Sequence, residues 1–428
     1  MIPLSFLGIV TIVLLLVLVI FKKVSTIVAL IAVPILTALL GGFTKEIFGF
    51  ITEGIIAIAP TGVMFIFAIL FFGILTDAGT FTPIITRLLR LSGSDPAKVA
   101  VATAVLAMIV HLDGSGAVTF LITVPAFLPM YDALKMKRTT LACIVALAAG
   151  TMNILPWGGP TIRAATALNV PVTDLFNPLL IPVLVGLSFV LLVSYVMGRA
   201  ERRPEKFDVA AVHNPRETSS LERPKLFWVN IVLIFLAVIA LVSGAVPPHV
   251  AFMIAFVMAI SINYPKVSEQ SERINAHAKA AILMASILFA AGCFTGILRG
   301  SGMIDAMAKS LGEMIPSVVG NHLAVATGIV SMPMSLLFDP DSFYFGILPL
   351  LSETSAHFGG NPIEVGRAAI MGQMTTGFPV SPLTGATFLL IGLAEVDLGE
   401  HQRKTIPYAF LITIIILIVS LLVGAITF

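Results

Sequence analysis

Apolar residues in this chain run in blocks. They neither alternate as in a half-buried strand nor form the single stripe of a soluble amphipathic helix. Ten blocks of a length suited to a bilayer, on the order of 20 residues each, occupy 4–21, 24–40, 54–79, 139–168, 179–198, 226–244, 250–264, 279–298, 367–393 and 406–428. Each predicts one membrane crossing, because a helix satisfies its own backbone groups inside lipid. The first block, Leu4 to Phe21, is followed rather than preceded by its basic residues, Lys22 and Lys23, and carries no small-residue cleavage pattern. It is read as a retained span and not as a signal peptide.

Two further blocks, 97–131 and 321–351, are interrupted at their centres by His111-Leu112-Asp113-Gly114-Ser115-Gly116 and by Phe338-Asp339-Pro340-Asp341-Ser342. Each is a surface loop capped by its aspartates, a pair of short spans, or a re-entrant hairpin whose tip stops at mid-depth. Charge bias chooses among these. Short cytoplasmic loops collect Lys and Arg, so Lys22 and Lys23 put the first loop inside and the amino terminus outside. With both interrupted blocks re-entrant, 20 of the 25 basic residues fall inside, four (Lys45, Arg299, Lys309, Arg367) fall outside, and Arg163 lies within a span. If the first hairpin crossed instead, Lys135, Lys137 and Arg138 would move outside and the bias would weaken.

The predicted fold is therefore an all-α polytopic membrane protein of two halves, 1–198 and 226–428, joined by a charged cytoplasmic linker, 199–225. Each half holds five crossings, one re-entrant helical hairpin (97–131, 321–351) and one broken helix (139–168, 367–393). An odd number of crossings turns the second half upside down relative to the first, the inverted-repeat plan of many secondary carriers, and places both termini outside. Gly73-Ile74-Leu75 with Gly79 recurs as Gly296-Ile297-Leu298 with Gly302, and Pro156 recurs as Pro379, both at an offset of 223.

Composition narrows the function classes. Of 428 residues, 58% are apolar and 11% charged, against roughly 25% charged in soluble domains. The net charge of +2 is too balanced for a nucleic-acid binder. Cys143 and Cys293 sit in separate apolar runs and are read as packing residues, with neither a disulfide framework nor a CxxC metal site. No P-loop, GxSxG or HExxH pattern occurs, so neither ATP drive nor an enzyme is indicated, and an ion gradient is left as the driving force.

The chemistry is expected where the apolar pattern fails. An ionised aspartate at the bilayer centre costs roughly 2.5 to 3.5 kcal/mol even on lenient scales, so Asp113, Asp339 and Asp341 are read as cation- and proton-handling groups and candidate metal ligands. Two crossings are also broken, at Asn153-Ile154-Leu155-Pro156-Trp157-Gly158-Gly159-Pro160-Thr161-Ile162-Arg163 and at Thr375-Thr376-Gly377-Phe378-Pro379-Val380-Ser381-Pro382-Leu383-Thr384. Their prolines and glycines stop an α-helix at mid-depth. The N-terminal N–H groups of the half-helices can then face an anion, and the freed carbonyls a cation. Substrate contacts are expected from Ser115, Asn153, Gly158, Gly159, Thr161, Arg163, Ser342, Thr376 and Ser381. Arg163 is suited to clamp a carboxylate or, alternatively, snorkels to the surface. Trp157 is a cavity wall or a belt aromatic. His111, two residues from Asp113, carries a coupling proton, ligates a metal, or is a hydrogen-bonded structural residue. Asp77 is read as a cap or surface residue, and the other histidines receive no role.

The runs Ile109-Val110-His111-Leu112-Asp113-Gly114-Ser115-Gly116 with Thr119-Phe120-Leu121-Ile122, Asn153 to Thr161 with Arg163-Ala164-Ala165, and Phe72-Gly73-Ile74-Leu75-Thr76-Asp77-Ala78-Gly79 together resemble the citrate–metal:proton symporters of bacteria, the CitMHS family of the ion transporter superfamily. The likeness extends over nearly the whole chain. It implies import of citrate complexed with a divalent cation, Mg or Ca, which is carried with the substrate rather than held as a permanent cofactor. It also implies proton symport, a homodimer, an elevator movement and residence in the bacterial inner membrane. Citrate near neutrality is close to a trianion, and one divalent cation reduces it to a monoanion. One arginine, two half-helix N-termini and three aspartates suit that complex better than free citrate, since hard cations take oxygen ligands. The rival readings are a proton-coupled carrier of another organic anion such as gluconate, a cation:proton antiporter of the same fold, and a cation channel filtered by the paired aspartates.

Overall fold

A computed structural model describes residues 3–21, 23–202, 220–316 and 320–428. Lys22 and residues 203–219 of the charged linker lie outside the described residues. All regular structure among the described residues is helical: α1 (Leu4–Ile20), α2 (Thr26–Leu40), α3 (Ile47–Asp77), α4 (Thr82–Ser92), α5 (Pro96–Val110), α6 (Gly116–Ala133), α7 (Arg138–Met152), α8 (Gly159–Leu168), α9 (Val172–Phe176), α10 (Leu180–Ala200), α11 (Phe227–Val242), α12 (Pro248–Asn263), α13 (Val267–Gly300), α14 (Met303–Met314), α15 (Leu323–Met334), α16 (Leu348–His357), α17 (Pro362–Ile370), α18 (Gly385–Ala394) and α19 (Leu398–Leu422). Among the described residues, seven helical stretches are long and apolar enough to cross a membrane, and six shorter helices are apolar as well. The expectation of an all-α polytopic membrane protein is borne out.

Helix ends follow ordinary capping chemistry. Asp95 accepts from the Ala97 N–H ahead of α5, with Pro96 at its first position. Asn361 and Pro362 do the same for α17, which is why that helix starts five residues before the apolar block at Arg367. Asp397 accepts from Gly399 and Glu400 at the start of α19. Elsewhere the apolar blocks undercount helix length, because hydropathy marks only what lipid touches. α13 runs 34 residues from Val267, and its charged first turns precede the block that begins at Lys279. From those turns Arg273 Nη1 and His277 Nε2 reach Asp77 Oδ2 of α3, at 3.2 and 2.9 Å. Asp77 is therefore an ion-pair partner between two helices, not the cap or surface residue expected. α4 and α14 were not legible as separate elements. α4 leans Ile85, Leu88 and Leu89 on the core while Arg87 and Arg90 stay exposed, the habit of a helix lying along an interface.

The long helices α3 and α13 cross at glycines. A methyl on Gly54 would lie 2.1 Å from the Gly292 carbonyl oxygen and 2.8 Å from Gly296 Cα, and one on Gly296 would lie 2.3 Å from the Phe50 carbonyl oxygen. Backbones approach this closely only where side chains are missing, the usual route to tight helix association without a hydrophobic driving force. The first tip, α8 and the turn of the second tip pack on this frame, whereas α17 and α18 of the second broken crossing pack on α6 to α9, α15, α16 and α19. α5 and α6 are joined by a 3-10 turn at His111–Asp113, and α15 leads into α16 through a π-helical turn at Ser342–Ile347. α7 and α8 are separated at 153–158, and α17 and α18 at 371–384.

Gly54→Val is expected to cost about 1–3 kcal/mol through overpacking and to lower the thermal midpoint of the detergent-solubilised protein. Gly49→Ala, whose new methyl meets nothing within 4 Å, is expected to hold or raise it. Fluorescence-detected size exclusion after heating reads both, and an unchanged Gly54→Val midpoint refutes the close crossing.

Candidate functional site

The first tip is built on an aspartate turn. Asp113 Oδ1 accepts from the Ser115 N–H at 2.7 Å, Gly114 takes a left-handed φ of 74°, and the Ser115 hydroxyl caps α6 by accepting from the Val118 N–H at 3.3 Å. His111 is fully buried, its Nδ1 2.9 Å from Thr119 Oγ1 and its Nε2 3.4 Å from Asn153 Oδ1. Thr119 Oγ1 also stands 2.8 Å from the Ser115 carbonyl oxygen. The second tip repeats the device. Asp339 Oδ1 accepts from the N–H groups of Asp341 and Ser342 at 3.0 and 3.1 Å, and the Ser342 hydroxyl donates to Asp339 Oδ2 at 2.5 Å.

Several bonds tie the tips and breaks together. The Trp157 Nε1–H donates to the Leu112 carbonyl at 2.7 Å, joining the first break to the first tip. Asn153 Nδ2 donates to the Met374 carbonyl at 2.8 Å, joining the two breaks across 221 positions of sequence. Arg163 Nε, on α8, donates to Asp341 Oδ1 at 2.7 Å, joining the first broken crossing to the second tip. Arg163 and Asp341 are each 8% exposed, so the guanidinium is a buried partner and does not snorkel. Trp157 is 3% exposed, stacked on Phe72 of α3 and edge-on to Phe252 of α12, hence a wall residue and not a belt aromatic.

The second break is held from several sides. The Ser335 hydroxyl lies 2.5 Å from Gln373 Oε1 and accepts from the Met374 N–H at 2.8 Å, and the Tyr344 hydroxyl donates to the Gln373 carbonyl at 2.7 Å. Phe378 stacks against His111 and Phe120, and a methyl on Gly116 would strike its ring at 2.8 Å. From α19, His401 Nε2 donates to the Pro379 carbonyl at 2.8 Å and Gln402 Nε2 to the Val380 carbonyl at 2.9 Å.

The residues singled out by sequence thus divide. His111, Asp113, Asn153 and Trp157 lie in one connected network with Arg163 and Asp341. Gly158 sits where any side chain would lie 2.2 Å from the Asn153 carbonyl oxygen, and a methyl on Gly159 would come within 3.0 Å of Arg163 Nη1. Thr161, in the first turn of α8, keeps its hydroxyl buried and without a hydrogen-bond partner, as does Thr375. Thr376 turns away and bonds Thr413 of α19 at 2.6 Å. The Ser381 hydroxyl accepts from the Leu383 N–H at 3.2 Å and shapes the chain there. Ser115 caps α6, and Ser342 donates its hydroxyl and N–H to Asp339. Among the described residues no three His, Cys, Asp or Glu side chains are gathered to hold a metal ion, so Asp113, Asp339 and Asp341 are engaged separately. Gln373, Ser335, Tyr344, Phe378 and His401 join the network with no warning in the sequence.

Known proteins share this chain's length and pattern. A citrate transporter of Bacillus subtilis (strain 168) is 43% identical over 429 residues, covering 99% of this chain and 100% of its own. A Mg(2+)/citrate complex secondary transporter of the same organism is 39% identical over 433 residues, covering 99% of each. Among solved structures, MtrF of Neisseria gonorrhoeae superposes with a TM-score of 0.66 at 15% identity, covering 100% of this chain and 96% of its own, which speaks for the fold alone. These relatives are transporters, and so is this multi-pass membrane protein; it is not an enzyme. Residues 16–372 match the citrate transporter family CitMHS, and the chain belongs to that family.

Proposed function

We propose that this protein is a secondary carrier that imports citrate complexed with a divalent cation, Mg or Ca, in symport with protons across the bacterial inner membrane. The observation that carries the reading is the connected network of two tips and two breaks, in which Arg163 and Asp341 form a buried ion pair. Supporting the layout of two inverted halves with re-entrant tips is the recurrence of one element order. A long helix, a short amphipathic helix, an interrupted pair, a broken crossing and a long helix run from α3 to α10 and again from α13 to α19. The movement is proposed to be an elevator of the tips and breaks against the α3–α13 frame, in a homodimer, with residues 199–225 cytoplasmic and both termini outside. The name of the second Bacillus relative supports a metal–citrate substrate.

In this mechanism the carboxylate of the incoming complex competes with Asp341 for Arg163. A guanidinium binds a carboxylate through parallel hydrogen bonds, so the exchange conserves the arginine's charge balance while freeing Asp341. The freed carboxylate turns to the cation of the substrate or takes a proton. The Thr161 hydroxyl and the N–H groups beginning at Gly159 receive a second anionic oxygen. With no three acids gathered among the described residues, the citrate itself is taken to hold the metal while the protein adds single oxygens from Asp113, Asp339 or Asp341.

Protons are handled at the first tip. The Thr119 hydroxyl has one hydrogen and two takers, the Ser115 carbonyl and His111 Nδ1. With a proton on Nδ1 the hydroxyl accepts from the ring and donates to Ser115. Without it the hydroxyl turns to the ring and the Ser115 carbonyl keeps only the Thr119 N–H, at 3.1 Å, as its donor, two residues from Asp113. The proton state of His111 is thereby linked to the cap of α6.

Stripping the metal with EDTA is expected to abolish radiolabelled citrate uptake into proteoliposomes, and persistent uptake points to a free organic anion instead. Arg163→Gln leaves Asp341 buried and unpaired, which costs about 3–5 kcal/mol. Adding Asp341→Asn is expected to recover thermal stability but not uptake, whereas recovery of both makes the pair merely structural. Asp113→Asn and His111→Gln are each expected to cut uptake driven by an imposed pH gradient at least tenfold, with a smaller effect on metal–citrate exchange at equal pH. A pH-gradient response retained by both variants removes the proton assignment.

A further inference from the structure

The largest uncommitted set of charges lies away from the breaks. Where α8 and α13 finish and α14, α16 and α17 run through their first turns, a cavity of about 390 Å³ is lined by Leu168, Arg299, Asp305, Ser352, Glu353 and Ile363 among others. Small-molecule sites occupy roughly 300–1,000 Å³, so the space is large enough for a ligand of citrate's class. Arg299 Nη2 donates to the Ala167 carbonyl at 3.0 Å, which fixes the guanidinium at the end of α8. Among the described residues no ion pair within 4.0 Å joins Arg299 to Asp305 or to Glu353. One cation and two carboxylates thus share a cavity without neutralising one another directly.

That charge pattern selects its ligand. A bare polycarboxylate meets two acids that repel it, and a bare cation meets a guanidinium that repels it. A carboxylate anion already carrying a divalent cation answers both, giving its carboxylate to Arg299 and its metal to the oxygens of Asp305 and Glu353. The position is also suggestive. Leu168 follows Arg163 by five residues on α8, about 7–8 Å of helical rise. Pro349, another lining residue, follows Asp341 by eight residues in the second tip. The Arg163–Asp341 pair therefore stands on the side of the cavity that leads to the breaks.

We propose that this cavity is a second binding site for a divalent cation–polycarboxylate complex, held between Arg299 and the acids Asp305 and Glu353, from which the complex reaches the breaks when the Arg163–Asp341 pair opens. The site rests on the metal–citrate reading above, and the charge bias that puts Arg299 outside makes it the entry-side site. Calorimetric titration of the purified full-length protein with the magnesium complex of citrate is expected to show two components. Arg299→Gln and Glu353→Gln each weaken one component at least tenfold and leave the other measurable. Lys309→Gln removes a positive charge from the same end, at an exposed residue outside the cavity lining, and leaves both components in place. If Arg299→Gln misfolds for want of its bond to Ala167, the nearly isosteric Glu353→Gln decides. A single wild-type component unaltered by Glu353→Gln overturns the second site while the carrier reading stands. A wild-type protein that binds no magnesium–citrate overturns both.

Discussion

A helix that stops inside a bilayer leaves N–H and C=O groups with no water to meet them, and the organisation of this chain follows from that constraint. Its interrupted segments meet the demand with side chains from elsewhere. The Leu112 carbonyl is taken by Trp157, Met374 by Asn153, Gln373 by Tyr344, Pro379 by His401 and Val380 by Gln402. Every donor comes from a different segment from its acceptor. No break is stable alone, so the tips and breaks form one unit or none, and that mutual dependence keeps the polar groups at fixed positions in surroundings of low dielectric.

The same logic separates the unit from its frame. α3 and α13 approach through Gly54, Gly292 and Gly296 with backbone against backbone, and their far end is fixed by Asp77 with Arg273 and His277. Trp157 stacks on Phe72 of that frame and meets Phe252 of α12 edge-on. Contacts of apolar rings carry little directional preference and can slide, whereas the hydrogen bonds inside the unit are directional. In the elevator proposed here, the division between sliding and holding surfaces falls between those two kinds of contact, and the bond from Arg299 of α13 to the Ala167 carbonyl of α8 is a directional contact that has to break.

Much of this was legible in the sequence and some of it was not, for physical reasons. Breaks were visible because an aspartate, or a proline beside two glycines, is expensive within an apolar run, and expense stands out against hydropathy. His111, Asp113, Asn153, Trp157, Arg163 and Asp341 were found on that ground. Partners were invisible, because Arg163 meets Asp341 across 178 positions and no local pattern encodes a contact of that range. Side-chain direction was invisible too. A helix has a period from which facing can be read, and unwound chain has none, so Thr376 was expected toward a substrate and bonds Thr413 instead. The ion pairs of Asp77 were missed because they use turns of α13 that extend beyond the apolar block.

The buried ion pair gives the empty carrier a property that its function requires. A carrier of an anionic complex needs a positive group at its site, yet a lone guanidinium in an apolar interior is costly to bury and more costly to move through it. Paired with Asp341, the site is neutral when empty, and the unit can return without dragging an uncompensated charge. In the proposed mechanism the carboxylate of the arriving monoanionic complex replaces Asp341 and a proton neutralises the displaced acid, so the loaded site is also close to neutral. The states that carry an unbalanced charge are the half-exchanged ones, with substrate on Arg163 and Asp341 bare. On that proposal those states resist movement for the same electrostatic reason that the empty and the fully loaded states permit it, and the arginine–aspartate pair ties movement of the anion to movement of a proton.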